Sequence, residues 1–95
     1  MTRISEQLAK ELGYTPDKNK LTWSRNKDGL HFLHQFSSLD YLDAEIKRLG
    51  WKWSRDTLGT FYVFKAKNKY DEIELGDGKS IASALLAALN SRKGK

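Results

Sequence analysis

The chain contains no cysteine and only one proline among its 95 residues. Because cysteine is absent, disulfides and thiolate zinc sites are excluded, and the redox compartment is left open beyond permitting the cytoplasm. No window approaches the roughly 20 consecutive apolar residues of a membrane-spanning helix. The chain begins with polar residues and lacks the apolar run of a signal peptide. We therefore expect an intracellular protein without a membrane segment.

Acidic residues are fewer than basic ones: 12 aspartates and glutamates face 17 lysines and arginines, which gives a net charge of +5. The charge is unevenly spread, because residues 51–70 carry five basic side chains and one aspartate, whereas residues 71–78 carry four acidic ones. This distribution serves solubility, or it attracts nucleic acid or an acidic protein surface. The hydrophobic fraction of 39% and the aromatic fraction of 12% indicate one folded domain with a modest core.

A pattern of tryptophan, serine and arginine, followed after three residues by glycine, occurs twice. It runs from Trp23 to Gly29 and again from Trp53 to Gly59. Each copy follows a predicted helix end, at Leu12-Gly13-Tyr14 and at Leu49-Gly50-Trp51. We interpret this as two copies of a helix-plus-hairpin unit, followed by one further helix. The copies differ mainly by a polar loop at residues 14–20 of the first.

Periodic apolar residues predict three helices, and apolar segments between turn residues predict two hairpins and an edge strand. Glycine follows the first two helices, where a left-handed residue suits the helix end. The predicted helices cover residues 3–12, 39–49 and 81–90. The predicted strands are Leu21–Arg25, Leu30–Phe36, a segment that contains Trp51 and Trp53, and 61–64; residues 70–75 form a short extra strand or an extended edge segment before a turn at 76–78.

The stretch Phe61-Tyr62-Val63-Phe64 is apolar at every position, which is typical of a strand whose sheet is covered on both faces. We therefore predict an α+β fold, a three-layer α/β/α sandwich with the order α-ββ-α-ββ-α around a mainly antiparallel sheet. Residues 1–90 would form this single domain, and residues 91–95 a flexible basic tail.

Two motifs that could bind a phosphate or a metal are incomplete. Gly78-Lys79-Ser80 precedes a helix, but a phosphate-binding loop needs another glycine five residues before Gly78, where Ile73 stands. A capped helix start explains the motif instead. His31 and His34 would lie on opposite faces of a strand, so they could not grip one metal ion. We therefore expect no cofactor-binding or metal-binding residues.

The acidic pair Glu72 and Glu74 would share one face of a strand. The two carboxyl groups could act as acid and base, or they could form a charged sheet edge that prevents aggregation. No Ser-His-Asp or Cys-His set can be assembled. We therefore expect no catalytic residues and a protein that is not an enzyme; a concave pocket with converging polar groups would be evidence for the enzyme alternative.

The repeated Trp-Ser-Arg motif also has two interpretations. In one, Trp23 and Trp53 are core residues, and Arg25 and Arg55 lie at the hairpin ends with their stems covering the rings. In the other, an aromatic ring beside an arginine stacks bases and contacts phosphates. The candidate residues for binding a partner or nucleic acid are Arg25, Lys27, Lys52, Arg55, Lys65, Lys67 and Lys69.

The order of these motifs resembles the small phage-encoded domain called the phage ABA sandwich. The segment Gly50-Trp51-Lys52-Trp53 and the final helix, which runs from Ser80 to Leu89, carry most of the resemblance, and it covers residues 3–90. The chain departs from the family at Gly78-Lys79-Ser80, where members often have a proline. The resemblance implies phage or prophage origin and α/β/α layers, and it transfers no catalytic residue.

Together these observations predict a small phage accessory protein that binds a host or phage protein without chemistry, in the cytoplasm of the infected cell. An inhibitor of a host defence complex is one concrete form of this function, and it follows from the resemblance and the small size. The alternative is a nucleic-acid-binding domain that uses a basic hairpin surface, for which binding should weaken steeply with salt.

Overall fold

The fold is known from a computed structural model that describes residues 4–19, 22–25 and 30–93. Within these ranges the chain forms three α-helices, a 3-10 helix and six strands. The helices are α1 (Ile4–Glu11), α2 (Leu39–Arg48) and α3 (Ile81–Lys93), and the 3-10 helix is Leu33–Ser37. The strands are β1 (Thr15–Pro16), β2 (Thr22–Ser24), β3 (Leu30–Phe32), β4 (Lys52–Arg55), β5 (Phe61–Ala66) and β6 (Glu72–Gly78).

The strands form two antiparallel sheets where the sequence predicted one. The first has the order β1-β2-β3 and the second the order β4-β5-β6. The α+β class, with helices packed on antiparallel strands, is confirmed. Between the two sheets, β3 ends at Phe32, and the chain passes through the 3-10 helix and α2 before it reaches β4.

The predicted strand Leu30–Phe36 is therefore wrong beyond Phe32. The Gln35 side chain accepts a hydrogen bond from the Phe32 amide over 2.6 Å, which favours a tight helical turn. This turn carries Phe36 into the core, where it is fully buried with its ring edge-to-face against Tyr14 and Tyr41. An extended strand would instead have placed Phe36 far from these rings.

The two helix ends before the hairpins have the same geometry, as the repeated Leu-Gly-aromatic sequence predicts. Gly13 and Gly50 have φ angles of 92° and 81°, a left-handed conformation that glycine adopts without a side-chain clash. In each case the glycine amide donates to the carbonyl three residues back, and the next amide to the carbonyl five back. This pair of hydrogen bonds is the Schellman motif. It directs Tyr14 and Trp51 into the core.

The predicted turn at residues 76–78 is wrong, because these residues belong to β6. A Cβ atom on Gly76 would lie 2.4 Å from the Ala88 amide nitrogen, and one on Gly78 would lie 2.6 Å from the Ser83 Cβ. The two glycines therefore serve close packing of strand β6 against helix α3. Ala84 and Ala88 of α3 contribute to this approach, because their small side chains let the two backbones come close.

Helix α3 begins as expected and ends later than expected. The Ser80 hydroxyl accepts a hydrogen bond from the Ser83 amide over 3.1 Å and caps the helix. The helix then continues to Lys93, so residues 91–93 of the predicted flexible tail are helical, and residues 94–95 lie outside the described residues. None of the helices in the described part of the chain has the length and apolar character needed to cross a membrane.

Candidate functional site

Arg25, the first of the predicted binding residues, is committed to contacts inside the fold. Its Nη1 atom lies 3.1 Å from the Glu45 carboxylate and donates a 2.9 Å hydrogen bond to the Leu12 carbonyl. Its guanidinium carbon lies 4.4 Å from the centroid of the Tyr14 ring. The side chain is only 14% exposed. These contacts assign Arg25 a structural role instead of the predicted surface contact.

Glu45 is the centre of the polar cluster that holds Arg25. It is a buried acidic residue that also accepts hydrogen bonds from Arg48 Nε over 2.7 Å and from the Tyr14 hydroxyl over 3.1 Å. Burial raises the pKa of Glu45, but the hydrogen bond from Arg48 and the charges of Arg25 and Arg48 outweigh it, and the pKa is lowered. The pKa of Tyr14 is raised, mainly by burial and next by the hydrogen bond with Tyr41. The cluster therefore ties the residues directly after α1 and β2 to α2, with an ionised carboxylate beside a neutral phenol.

The remaining basic candidates do not form one surface. Arg55 is exposed at the end of β4 next to the β4–β5 turn, with its guanidinium carbon 5.7 Å from the Phe61 ring centroid. Lys52 is exposed at the opposite end of β4, and its Nζ lies 3.8 Å from a Glu72 oxygen. Lys27 lies outside the described residues. The basic surface predicted from seven residues is thus divided in the fold.

Three of the candidates lie together at the end of the second sheet. Lys65 is in β5, while Lys67 and Lys69 are in the connection from β5 to β6, and all three are exposed. We call residues 65–73 the hairpin tip. It also contains Tyr70, which the sequence interpretation placed in a strand and did not select.

The second sheet has one face covered by helix α3 and an opposite face that presents polar side chains. The covered face includes Val63, which is fully buried, and Gly76, which approaches Ala88 of α3. Strand register places the alternate residues on the other side, which we call the open face. Its members are Lys52, Ser54, Tyr62, Phe64, Ala66, Glu72, Glu74 and Asp77. The sequence predicted that helices cover both faces of this sheet. In the described chain, helix α3 covers one face.

Exposure differs among the side chains of the open face. All except Tyr62 and Phe64 are exposed, and these two rings are half-buried between their cross-strand neighbours. Three carboxylates, from Glu72, Glu74 and Asp77, face one ammonium group, from Lys52. The open face is thus aromatic at its centre and acidic around it, although the whole chain carries a charge of +5.

A turn aspartate fixes the position of the tyrosine ring on the open face. The Tyr62 hydroxyl donates a 2.9 Å hydrogen bond to Asp56, whose other carboxylate oxygen accepts the Leu58 and Thr60 amides. These amide bonds, that of Thr60 foremost, lower the pKa of Asp56. The hydrogen bond to Asp56 raises the pKa of Tyr62, and the charges of Asp77 and Glu74 add to this shift. The phenol therefore stays neutral among ionised carboxylates.

Sequence reasoning selected the basic residues and missed the aromatic ones. Tyr62 and Phe64 alternate with Val63, so they lie on the opposite face of the strand from Val63. The uniformly apolar sequence concealed this difference between the faces, because a half-buried aromatic residue cannot be told from a buried one in the sequence. Tyr70 was detectable only from its position beside Lys69 in the tip of a hairpin.

The acidic and imidazole candidates have positions that favour structural roles. Register places Glu72 and Glu74 on one face of β6, at the edge of the second sheet, as predicted. The His31 ring packs edge-to-face against Tyr14 and Tyr41, at centroid distances of 5.2 and 5.3 Å. The side chain of His34 lies outside what the structure describes. Among the side chains it does describe, no group of three or more His, Cys, Asp or Glu residues could hold a metal ion.

Comparisons with protein-family models, with curated proteins and with solved structures found no match for this chain. The resemblance to the phage ABA sandwich therefore stays a prediction, and any functional assignment depends on the geometry of the chain itself.

Proposed function

We propose that the protein acts without catalysis, by binding a basic surface segment of another protein on its open face. The observation that carries the proposal is the position of Tyr62 and Phe64, two aromatic rings on a sheet face without a helix in the described structure. A ring that served only the core would lie on the α3 side with Val63. Aromatic residues supply large contact area with few rotatable bonds, and they are enriched in protein interfaces.

The charge of the open face indicates the chemistry of the partner. Glu72, Glu74 and Asp77 surround the rings, and their negative charge is opposite to that of the chain as a whole. Lysine and arginine side chains of a partner can pair with these carboxylates and pack on the aromatic rings. A nucleic acid, by contrast, would be repelled by this face. The open face therefore favours a protein partner with a cationic segment.

The titration properties of the polar cluster support a role without catalysis. A general acid or base works best with a pKa near the ambient pH. In the buried cluster the pKa of Glu45 is lowered and that of Tyr14 is raised, so both move away from neutrality. A pair arranged in this way holds the fold together and has no proton to exchange at neutral pH.

The biological setting follows from the sequence resemblance alone. If the chain is phage-encoded, the partner is a host or phage protein, and binding takes place in the cytoplasm of the infected host. Inhibition of a host defence complex is the concrete form that suits a small binding protein.

Affinity capture from bacterial lysate, followed by measurement of Kd with the purified partner, tests the proposal. The double variant Glu74→Gln/Asp77→Asn removes two charges from the open face. The matched variant Glu6→Gln/Asp40→Asn removes two charges from the helices. Exposed ion pairs contribute up to about 1 kcal/mol each, so the first variant should raise Kd about 5- to 30-fold and the second should leave it unchanged. Equal effects of both variants, or no reproducible partner, would contradict the proposal.

A further inference from the structure

The hairpin tip is an ordered turn. The Lys67 and Asn68 amides donate to the Asp71 carbonyl over 2.9 and 3.3 Å. The Asn68 side-chain oxygen accepts the Tyr70 and Asp71 amides over 2.9 and 3.0 Å, and its amide nitrogen donates to the Asp71 carboxylate. Because these bonds fix the backbone before any partner arrives, less conformational freedom is lost on binding.

Tyr70 projects from this turn with 84% of its surface exposed. The Lys69 ammonium lies 5.6 Å from the ring centroid, so a positive charge sits beside the ring. A single exposed aromatic residue on a surface needs no functional explanation by itself. The combination of an exposed ring, a fixed backbone, Lys69 beside the ring and two further exposed lysines in the same hairpin does point to a ligand with a flat apolar part and a negative part.

The lysine side chains of the hairpin tip are available to contact a ligand. Lys65, Lys67 and Lys69 are exposed, and they form no ion pair with any carboxylate that the structure describes. The two acidic residues of the tip contact other groups, because Asp71 accepts a hydrogen bond from Asn68 and Glu72 lies 3.8 Å from Lys52. The tip thus carries three exposed lysines near one exposed ring, with Lys69 directly beside Tyr70, and Tyr70 lies on a different part of the sheet from the open-face residues Tyr62 and Asp77.

We propose that the hairpin tip binds single-stranded nucleic acid, with a base stacked on Tyr70 and phosphates contacted by Lys65, Lys67 and Lys69. Stacking on an aromatic ring combined with lysine contacts to the backbone is how sequence-tolerant single-strand binding works. The tip supplies both parts within a few residues. This site does not depend on the proposed protein-binding function, and it uses three of the seven basic candidates together with one residue that is not basic.

Fluorescence anisotropy with a labelled oligonucleotide of about 15 thymidines measures this binding directly. Tyr70→Leu keeps an apolar side chain and removes the ring, so it should raise Kd about 5- to 150-fold. Tyr70→Phe keeps the ring and should preserve Kd. Leu58→Ala, at the β4–β5 turn where Leu58 is 90% exposed, is the matched control and should also preserve it.

A triple variant tests the phosphate contacts. Lys65→Gln/Lys67→Gln/Lys69→Gln should reduce the slope of log K against log salt by about 2, because each single-strand phosphate contact contributes about 0.7. The control variant Lys10→Gln/Lys18→Gln/Lys79→Gln removes the same charge from exposed positions elsewhere. It should retain most of the salt slope of the wild-type protein. All of these side chains are exposed, so the variants should fold, which circular dichroism checks.

Three results would overturn the proposal. The first is the absence of binding at about 50 mM salt, where electrostatic contacts are strong. The second is an equal Kd for Tyr70→Leu and Leu58→Ala, or an equal salt slope for the two triple variants. The third is equally tight binding of polyglutamate or duplex DNA of the same charge, which would assign the lysines to an acidic protein or to a double helix instead of a single strand.

Discussion

The two Trp-Ser-Arg copies share a sequence and a helix ending but differ in what their side chains do. In the first copy Trp23 is fully buried and Arg25 pairs with Glu45. In the second copy Trp53 is half-buried, its indole donates a 2.7 Å hydrogen bond to Asp43, and Arg55 is exposed. The tryptophan and arginine of the first copy therefore pack inside the fold, whereas the second copy forms part of a sheet with an open face.

The difference arises from what surrounds each copy. In the first copy Arg25, directly after β2, contacts both the Leu12 carbonyl after α1 and Glu45 on α2. In the second copy the arginine lies at the end of β4 beside Phe61. The repeated local sequence thus determines the helix ending and the strand that follows it. The tertiary neighbours determine whether the arginine is structural or accessible.

The largest expected difference between the copies is in their tryptophans. Trp23→Ala should destabilise the fold by about 3–5 kcal/mol, because it empties a fully buried site. Trp53→Ala should cost clearly less, since part of that ring already contacts water. Urea unfolding measures both values. If Trp23→Ala does not fold, Trp23→Phe and Trp53→Phe give the comparison, and equal losses would contradict the assignment of the two rings.

The second-largest difference in stability loss is expected between the two arginines. Arg25→Met leaves Glu45 with Arg48 as its cation, so the expected loss of about 2 kcal/mol is smaller than for an uncompensated buried charge. Arg55→Met should change the free energy of unfolding by less than about 0.5 kcal/mol, as is usual for exposed positions. Urea unfolding at neutral pH checks both, and a larger loss for Arg55→Met would reverse the account of the two copies.

The glycines at the two helix ends should behave more nearly alike. Gly50→Ala places a side chain at a φ of 81° with no atom within 4 Å, so only the backbone strain of about 1–2 kcal/mol is expected. Gly13→Ala adds a contact of 3.4 Å with Arg25 Cδ and should cost slightly more. Thermal unfolding of both variants measures the difference. A harmless Gly50→Ala would show that the shared helix ending is not needed.

Acid should weaken the first copy through Glu45. The folded-state pKa of Glu45 is lowered, so its contribution to stability is present above the unfolded pKa of about 4.3 and is lost as pH falls through the folded pKa. The stability gap between wild type and Glu45→Gln should therefore narrow below about pH 5. For Asp43→Asn, which removes the partly buried acceptor of the Trp53 indole, the gap should narrow less. Urea unfolding across this pH range provides the measurement, and parallel curves for Glu45→Gln would contradict the prediction.

Local sequence predicted the elements that depend on local physics. The three helices and the glycine helix ends follow from periodicity and capping, and the structure confirms them. The 3-10 turn that carries Phe36 inward and the role of Gly76 could not be predicted, because they depend on packing against Tyr14 and Ala88 from distant parts of the chain. For the same reason charge alone grouped Arg25 with the hairpin lysines, and only the position of Glu45 separates them.

We infer that the first Trp-Ser-Arg copy holds the fold together, and we propose that the second sheet carries the contact surfaces. Titration of the ¹⁵N-labelled protein with the thymidine oligonucleotide, monitored by amide chemical shifts, separates these two roles. We predict that the largest shifts fall in residues 65–73 and that residues 22–25 stay unchanged. Largest shifts at residues 22–25 would show that the first Trp-Ser-Arg copy is the contact surface and would contradict the claim.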